Sequence, residues 1–304
     1  MILYLCNGSG DMIHCKHIEK EAIIDTKWKH KDRARRKLEQ KLFLCGEKFS
    51  RFALGAWSKS VQQYDVIIIE ALIANIPLIQ YVKKHACSGT RIILWHWNKI
   101  FKNSILPEDP ICSGCELWSF DPDDCKQYGM KFNTQYFDSA WVTYRPAPLK
   151  RDVWFIGGDK NRATYLQELA RTFAKLGLKS EIHIVADKTS DFRNGVIYKK
   201  NLCYKQALYE LQCSKAALDI SRNGQTGLTL RPMEAMFLEK KLITNNQKIM
   251  ECPFYSPKNV FVIGVDEWKM LPKLLEEPFD RSIRAELDYY EVANWINRFG
   301  EDNV

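Results

Sequence analysis

The stretch from Ala217 to Asn246, ALDISRNGQTGLTLRPMEAMFLEKKLITNN, constrains the fold of this chain more than any other. It opens as a buried strand at Ala217, Leu218 and Ile220, and turns through a polar loop holding Gly224 and Gly227. It becomes helical from about Arg231, where Pro232 is tolerated in a first turn. Lys240 and Lys241 fall at the negative end of that helix, and Leu242 to Thr244 begin another strand. Strand, loop, helix and strand in that order require a parallel α/β sheet. The loop from Gly224 to Arg231 then lies where such a sheet presents ligands, with backbone N–H groups at a helix N-terminus and an arginine beside them. That combination suits a phosphate.

The rest of the chain repeats the theme. Met1 to Cys6 reads as a first strand, followed by the turn Asn7-Gly8-Ser9-Gly10 and a helix from Asp11 toward Ile24. Tyr64 to Glu70 is a β-branched run typical of a strand buried on both faces, and it sets Glu70 at its carboxyl end. A helix is expected over Pro77 to Lys84. Thr90 to Trp95 is a further strand, delivering His96, Trp97, Asn98 and Lys99 to the sheet edge. Leu117 to Asp121 is another, with Asp121 capping the helix after it. A proline-bearing segment, Arg145 to Lys150, has the character of a linker.

Beyond the linker, Asp152 to Ile156 is a strand that runs into Gly157 and Gly158, then Lys160, Arg162 and a helix from Ala163 to Leu176. The glycine pair lets backbone approach a ligand, and the two basic side chains offer charge. No full GxGxxG follows, which excludes the usual nicotinamide dinucleotide fingerprint. Strands are expected at Glu181–Val185, Val196–Tyr198 and Val260–Ile263, and helices at Tyr204–Gln212, Leu271–Glu277 and Ser282–Phe299. The last carries an apolar stripe of Leu287, Tyr290, Val292, Trp295, Ile296 and Phe299.

The order Leu218-Asp219-Ile220, then Gly224 through Arg231, then Glu234-Ala235, then Lys240 through Asn246 resembles the nucleotide-sugar half of GT-B glycosyltransferases, particularly bacterial enzymes of lipopolysaccharide and capsule synthesis. The resemblance implies two Rossmann-like α/β domains facing a central cleft. It also implies transfer of a sugar from a nucleoside diphosphate sugar to a polysaccharide or lipid-linked glycan, without a metal or other cofactor. By motif, Gly227, Leu228, Thr229 and Arg231 would meet the donor diphosphate and Glu234 the ribose. Gly157, Gly158, Lys160 and Arg162 would complete the donor site. Thr226 stands where retaining members carry an earlier glutamate, so the stereochemical course stays open.

On the acceptor side, the resemblance points to Gly10 and to Trp95, Trp97 and Asn98, two aromatics that could form a wall against a sugar face. Trp118-Ser119-Phe120-Asp121-Pro122-Asp123-Asp124 is also similar to the polysaccharide group. An inverting reaction would need a base, for which His96, Asp11 and Glu70 are the candidates. The expected domains are residues 1–147, residues 148–280, and a terminal helical segment, 281–304, packing back on the first. A sugar-nucleotide epimerase or hydrolase of the same fold is the enzyme alternative. A non-catalytic protein binding glycan or anionic membrane is the other.

Composition narrows the setting. A chain of 304 residues, 46% hydrophobic and 27% charged, is long enough for two ordinary α/β domains and too apolar for disorder. The apolar run Val66 to Val82 is broken by Glu70, Asn75 and Pro77, so no membrane span is expected. The N-terminus reads as a strand without a signal peptide, and the ten scattered cysteines suit a reducing compartment, so a cytoplasmic location is expected. Only Cys112-Ser-Gly-Cys115 has metal-like spacing, and a zinc site would need two more ligands, for which Cys125 and Cys87 are the only nearby cysteines; free thiols in a loop are expected instead. The net charge of +8 favours an anionic partner. Much of it lies in Lys27 to Lys41, a helix that could attract an anionic membrane surface on the cytoplasmic side, with Trp28, Leu38, Leu42 and Phe43 as an apolar edge. No nucleic-acid module accompanies the charge.

Overall fold

The computed structural model describes residues 1–6, 16–18, 22–30, 32–142, 147–193, 195–221 and 227–300. The chain divides into two compact units, Met1–Gln135 with Val292–Val304, and Tyr136–Glu291. The change falls ahead of the proline-bearing linker because the residues before it already pack within the second unit. Phe137 stacks on Phe237 at 4.7 Å and Trp141 meets the Tyr204 ring edge-to-face at 5.6 Å.

Among the described residues, the first domain holds seven strands: β1 (Ile2–Cys6), β2 (Lys16–Ile18), β3 (Ala22–Thr26), β4 (Val66–Glu70), β5 (Arg91–His96), β6 (Glu116–Ser119) and β7 (Lys131–Phe132). Their order is β2-β3-β1-β4-β5-β6-β7, with β2 antiparallel to β3 and every other pair parallel. The helices are α1 (Arg33–Leu44), α2 (Ser50–Ala53), α3 (Ile76–His85) and α4 (Pro122–Tyr128). β1 is buried along its whole length, as a central parallel strand must be.

One sheet face packs Leu3, Leu5, Ile67, Ile69 and Leu94 against Phe43, Trp57, Leu78 and Val82. The other face presents Tyr4 and Trp95, whose rings meet Trp295 of the C-terminal helix Val292–Asn297 at 5.4 and 5.7 Å. Phe299 adds contacts to Trp95 and Trp118. The helix expected from Asp11 toward Ile24 is not found over its described part, which is β2 and β3. Ala22 to Thr26 pairs in register with β1, and that ladder outweighs any local helical preference.

Among the described residues the second domain has β8 (Arg151–Gly158), β9 (Ser180–Val185), β10 (Ser214–Asp219), β11 (Lys241–Thr244) and β12 (Val260–Val262), all parallel in the order β12-β11-β10-β8-β9. Its helices are α5 (Ala163–Lys175), α6 (Tyr204–Gln212), α7 (Leu230–Phe237), α8 (Leu271–Glu276) and α9 (Arg284–Asp288). Val196 to Tyr198 is not a strand; only a single bridge, Val185 to Lys199, forms there. The helix expected over Ser282–Phe299 is broken. Phe137 N–H donates to the Tyr290 carbonyl at 2.9 Å and bridges Glu291, so residues 290 and 291 leave the helical path to close the second unit.

Candidate functional site

The second sheet runs outward from β8 to β9 and then returns to the other side of β8 for β10, so the strand order reverses between β8 and β10. Open α/β sheets bind ligands at that reversal, outside the carboxyl ends of the strands. A crevice of about 310 Å³ lies there. Its lining includes Phe155 to Gly157 from β8, Leu218 and Asp219 from β10 with Ile220 and Ser221 just past it, Thr229 to Arg231 at the start of α7, and Lys160, Arg162 and Glu234. The structure thus gathers Gly157, Lys160, Arg162, Thr229, Arg231 and Glu234 around one space. Gly158, Gly227 and Leu228 are not among the residues that line it, and Thr226 and Gly224 lie outside the described residues.

Both arginines are fixed by backbone carbonyls. The Arg162 guanidinium donates to the Gly158 carbonyl at 3.2 Å and to the Ile220 carbonyl, tying the ends of β8 and β10 together. It lies 5.0 Å over the Phe155 ring. Gly157 is required by this approach, since a Cβ there would stand 2.7 Å from Arg162 Nη2. Lys160 and Asn161 both adopt left-handed backbone, φ 51° and 61°, unusual for non-glycine residues. Their N–H groups are held by Asp187 Oδ2 and Thr189 Oγ1, each at 3.0 Å. Asp159, ahead of α5, accepts from the Arg162 and Ala163 N–H groups and from the Tyr198 hydroxyl at 2.7 Å.

At the start of α7 the Thr229 hydroxyl accepts from the Arg231 N–H at 3.2 Å and donates to Asp219 Oδ1 at 2.9 Å. Asp219, buried at the end of β10, also accepts from the Thr244 hydroxyl at 3.3 Å. Arg231 pairs with Glu234 one turn along and donates to the Ile156 carbonyl at 2.9 Å. Burial raises the Glu234 carboxyl above its ordinary value against the pull of Arg231. Burial does the same to Asp219 against Thr229 and the two arginines. The Tyr204 phenol is pushed well up, first by burial and then by the Glu234 charge. Arg162 and Arg231 bring fixed positive charge to the crevice, which suits an anion. Asp219 and Tyr204 were not among the site residues expected from the sequence. A carboxylate closing a buried strand was a usable signal for Asp219; Tyr204 carried none.

In the first domain, Gly10 and Asp11 lie outside the described residues. Glu70 closes β4, and Lys27 reaches it from just past β3, donating to Glu70 Oε2 at 2.6 Å and to Asn75 Oδ1 at 3.3 Å. Lys27 is fully buried and precedes α1, which begins only at Arg33 behind the Asp32 cap. It is thus not part of the basic helix, because a cation cannot be withdrawn from water without the paired carboxylate that Glu70 supplies.

Trp95 is also corrected. The strand's alternation sends it into the core against Trp295 and Phe299, and it offers no face to a ligand. Trp97 is half-buried, with its carbonyl accepting from Gln135 Nε2 at 3.0 Å, and Asn98 is exposed. His96 is buried, neither ring nitrogen has a protein partner among the described residues, and burial holds its pKa down to about 4. It faces a cavity of about 40 Å³ shared with Glu70 and Ser104, room for water but not for a sugar.

Among the described residues no group of three His, Cys, Asp or Glu side chains gathers as metal ligands, and no helix is long and apolar enough to cross a membrane. The Cys112 and Cys115 thiols are free, and burial raises both, Cys112 to about 11.

Two α/β domains built on parallel sheets, the second with a crevice at its reversal point, have the form of the GT-B fold. Solved structures agree. AviGT4, a glycosyltransferase involved in avilamycin A biosynthesis, aligns with a TM-score of 0.56 at 14% identity, covering 98% of this chain and 95% of that one. A glycosyltransferase from Rickettsia africae ESF-5 aligns with a TM-score of 0.50 at 9% identity, covering 98% and 96%. The chain has the GT-B glycosyltransferase fold. No protein-family model matches the sequence, and no curated protein matches it.

Proposed function

We propose that the chain is a glycosyltransferase that holds a nucleoside diphosphate sugar in the second-domain crevice and passes the sugar to a polysaccharide or lipid-linked glycan acceptor in bacterial surface-glycan synthesis. The carrying observation is the convergence of Lys160, Arg162 and Arg231 on one crevice at the β8–β10 reversal, beside the N-terminus of α7. As the bond to the sugar breaks, negative charge grows on the departing diphosphate. Guanidinium groups already fixed to carbonyls meet that charge without reorganising, which is how a polar site lowers a barrier. Lysine and arginine take that role here in place of a metal ion. Glu234 supplies the acceptor oxygens suited to a ribose diol. AviGT4 and the Rickettsia africae protein, aligned at TM-scores of 0.56 and 0.50, are both glycosyltransferases, which supports the reaction class.

An inverting reaction would draw its base from His96, Glu70 or Asp11; His96 and Glu70 line one small cavity at the ends of β4 and β5. A thermal-shift screen over nucleoside diphosphates and their sugars tests the reading. A ligand at 100 times its Kd adds about 2.7 kcal/mol to the folded state, a clear rise in Tm. No rise with any nucleoside diphosphate would refute the donor site, and product analysis without an acceptor would reveal an epimerase instead.

A further inference from the structure

The loop that leads into β6 carries Cys112 and Cys115 at the two ends of one tight turn. The Cys115 N–H donates to the Cys112 carbonyl at 2.9 Å. Between them Ser113 has φ −54° and ψ 124°, and Gly114 has φ 73°. These are the angles of a type II β-turn, with glycine where left-handed backbone is required. The ends of such a turn hold their Cα atoms within about 7 Å, and a disulfide spans about 4.4–6.8 Å. The side chains are neighbours too, since after burial the charge of Cys115 is the largest influence raising the Cys112 thiol.

Lys83, near the end of α3, anchors this turn. Its ammonium donates to the Ile111 and Ser113 carbonyls, each at 2.6 Å, and its charge pulls both thiols down against burial. A metal cation is disfavoured there, because a positive charge already stands beside the sulfurs and no third ligand joins them among the described residues. Cys112 is buried, whereas Cys115 is half-buried behind the exposed Ser113 and Gly114, so Cys115 is the sulfur a solute reaches first.

We propose that Cys112 and Cys115 are a reversible dithiol–disulfide pair, oxidised by exchange with a small-molecule disulfide such as oxidised glutathione. Cys115, as thiolate, attacks one glutathione sulfur; a mixed disulfide forms, and the departing glutathione thiolate takes up the proton that Cys115 released. Cys112 then gives up its proton and attacks the Cys115 sulfur, and the second glutathione leaves as its thiol. The protein loses two electrons and two protons, and the glutathione disulfide gains them. Closure replaces two weak thiol contacts, Cys112 to the Leu106 carbonyl at 3.4 Å and Cys115 to the Ile111 carbonyl at 3.7 Å, with a covalent bond. Burial keeps both thiols protonated near neutral pH, so the exchange is slow. None of this depends on the transferase reading.

The full chain, native or unfolded in urea, equilibrated at graded ratios of reduced to oxidised glutathione, tests the proposal. Free thiols are then alkylated, and the tryptic peptide 103–126, which holds Cys112, Cys115 and Cys125, is read by mass spectrometry. The native peptide is expected to lose two hydrogens and escape alkylation at Cys112 and Cys115. Its equilibrium constant should exceed that of the unfolded chain by at least about tenfold, because the turn raises the effective concentration of one thiol at the other. Cys125→Ser should leave this oxidation unchanged, and Cys115→Ser should abolish it. The proposal is overturned if the native peptide stays fully alkylated at ratios that oxidise the unfolded chain, if the two constants are equal, if the bond found involves Cys125, or if the oxidation stops at a glutathione adduct.

Discussion

Arg231 and Glu234 are ion-paired across one turn of α7, and the same guanidinium donates to the Ile156 carbonyl at the end of β8. A residue facing the expected phosphate is thus also the counter-charge of a buried acid.

Removing Arg231 should therefore do more than weaken ligand binding. In Arg231→Met, Glu234 is left buried without its cation, and stability should fall by about 3–5 kcal/mol. Glu234→Gln keeps shape and hydrogen bonding and should cost under about 1 kcal/mol, while reducing nucleotide affinity about tenfold through loss of charged acceptor contacts. Urea unfolding and calorimetric titration of both variants check this; equal stability losses would contradict the pairing.

Gly157→Ala places a methyl group against Arg162 Nη2, the far end of a flexible side chain. The guanidinium should swing off the Gly158 and Ile220 carbonyls with little loss of stability, while nucleoside diphosphate affinity falls about tenfold or more, the worth of a displaced charge-assisted bond. Unchanged affinity would show that Arg162 has no part in binding.

Lys27→Met strands Glu70 and should cost about 3–5 kcal/mol. The double variant Lys27→Met, Glu70→Gln should recover a substantial part of that, because no charge is left unpaired. A double-mutant cycle by urea denaturation measures the coupling, and simple additivity would remove the argument.

His96 predicts a pH dependence of known sign. Its folded pKa of about 4 lies below the ordinary 6.5. As pH falls through that window the unfolded chain binds the proton first, so stability is full above 6.5 and declines toward 4. The loss attributable to His96 is on the order of 3 kcal/mol. His96→Leu should flatten the stability profile over the same window, and denaturant unfolding from about pH 7 to about pH 4 follows it. A wild-type profile that coincides with that of the variant would show that the ring is not held neutral.

The parts of the fold that could be read from sequence were those where one local pattern decides. The β-branched run into Glu70 gave β4, Asp121 caps α4 through the Asp123 and Asp124 N–H groups, and Tyr204–Gln212 is helical as expected. The reading went astray where a distant partner decides. Ala22 to Thr26 becomes a strand because β1 is beside it, and Lys27 is buried because Glu70, far away in sequence, neutralises it. Trp95 and Trp97 looked alike in sequence, but the C-terminal helix claims only Trp95 for the core. The residues gathered at the crevice were legible because glycine, arginine and the strand-to-helix turn occur together. Their mutual bonds, such as Arg162 to Ile220 or Tyr204 beside Glu234, were not, since nothing in a linear chain records which carbonyl an arginine reaches.

The chain leaves its first unit after Gln135 and re-enters at Val292, and at each crossing the severed ends are already joined within their own unit. Trp295 Nε1 donates to the Thr134 carbonyl at 2.7 Å on one side, and Phe137 N–H to Tyr290 on the other. The second unit is thus a guest spliced into a host, with both seams sewn shut by hydrogen bonds that do not depend on the other body. Residues 136–291 expressed alone should fold with the crevice intact, and a short splice from 135 to 292 should leave a folded host. Such a gene could exchange its crevice-bearing module as a cassette without redesigning the body that receives it.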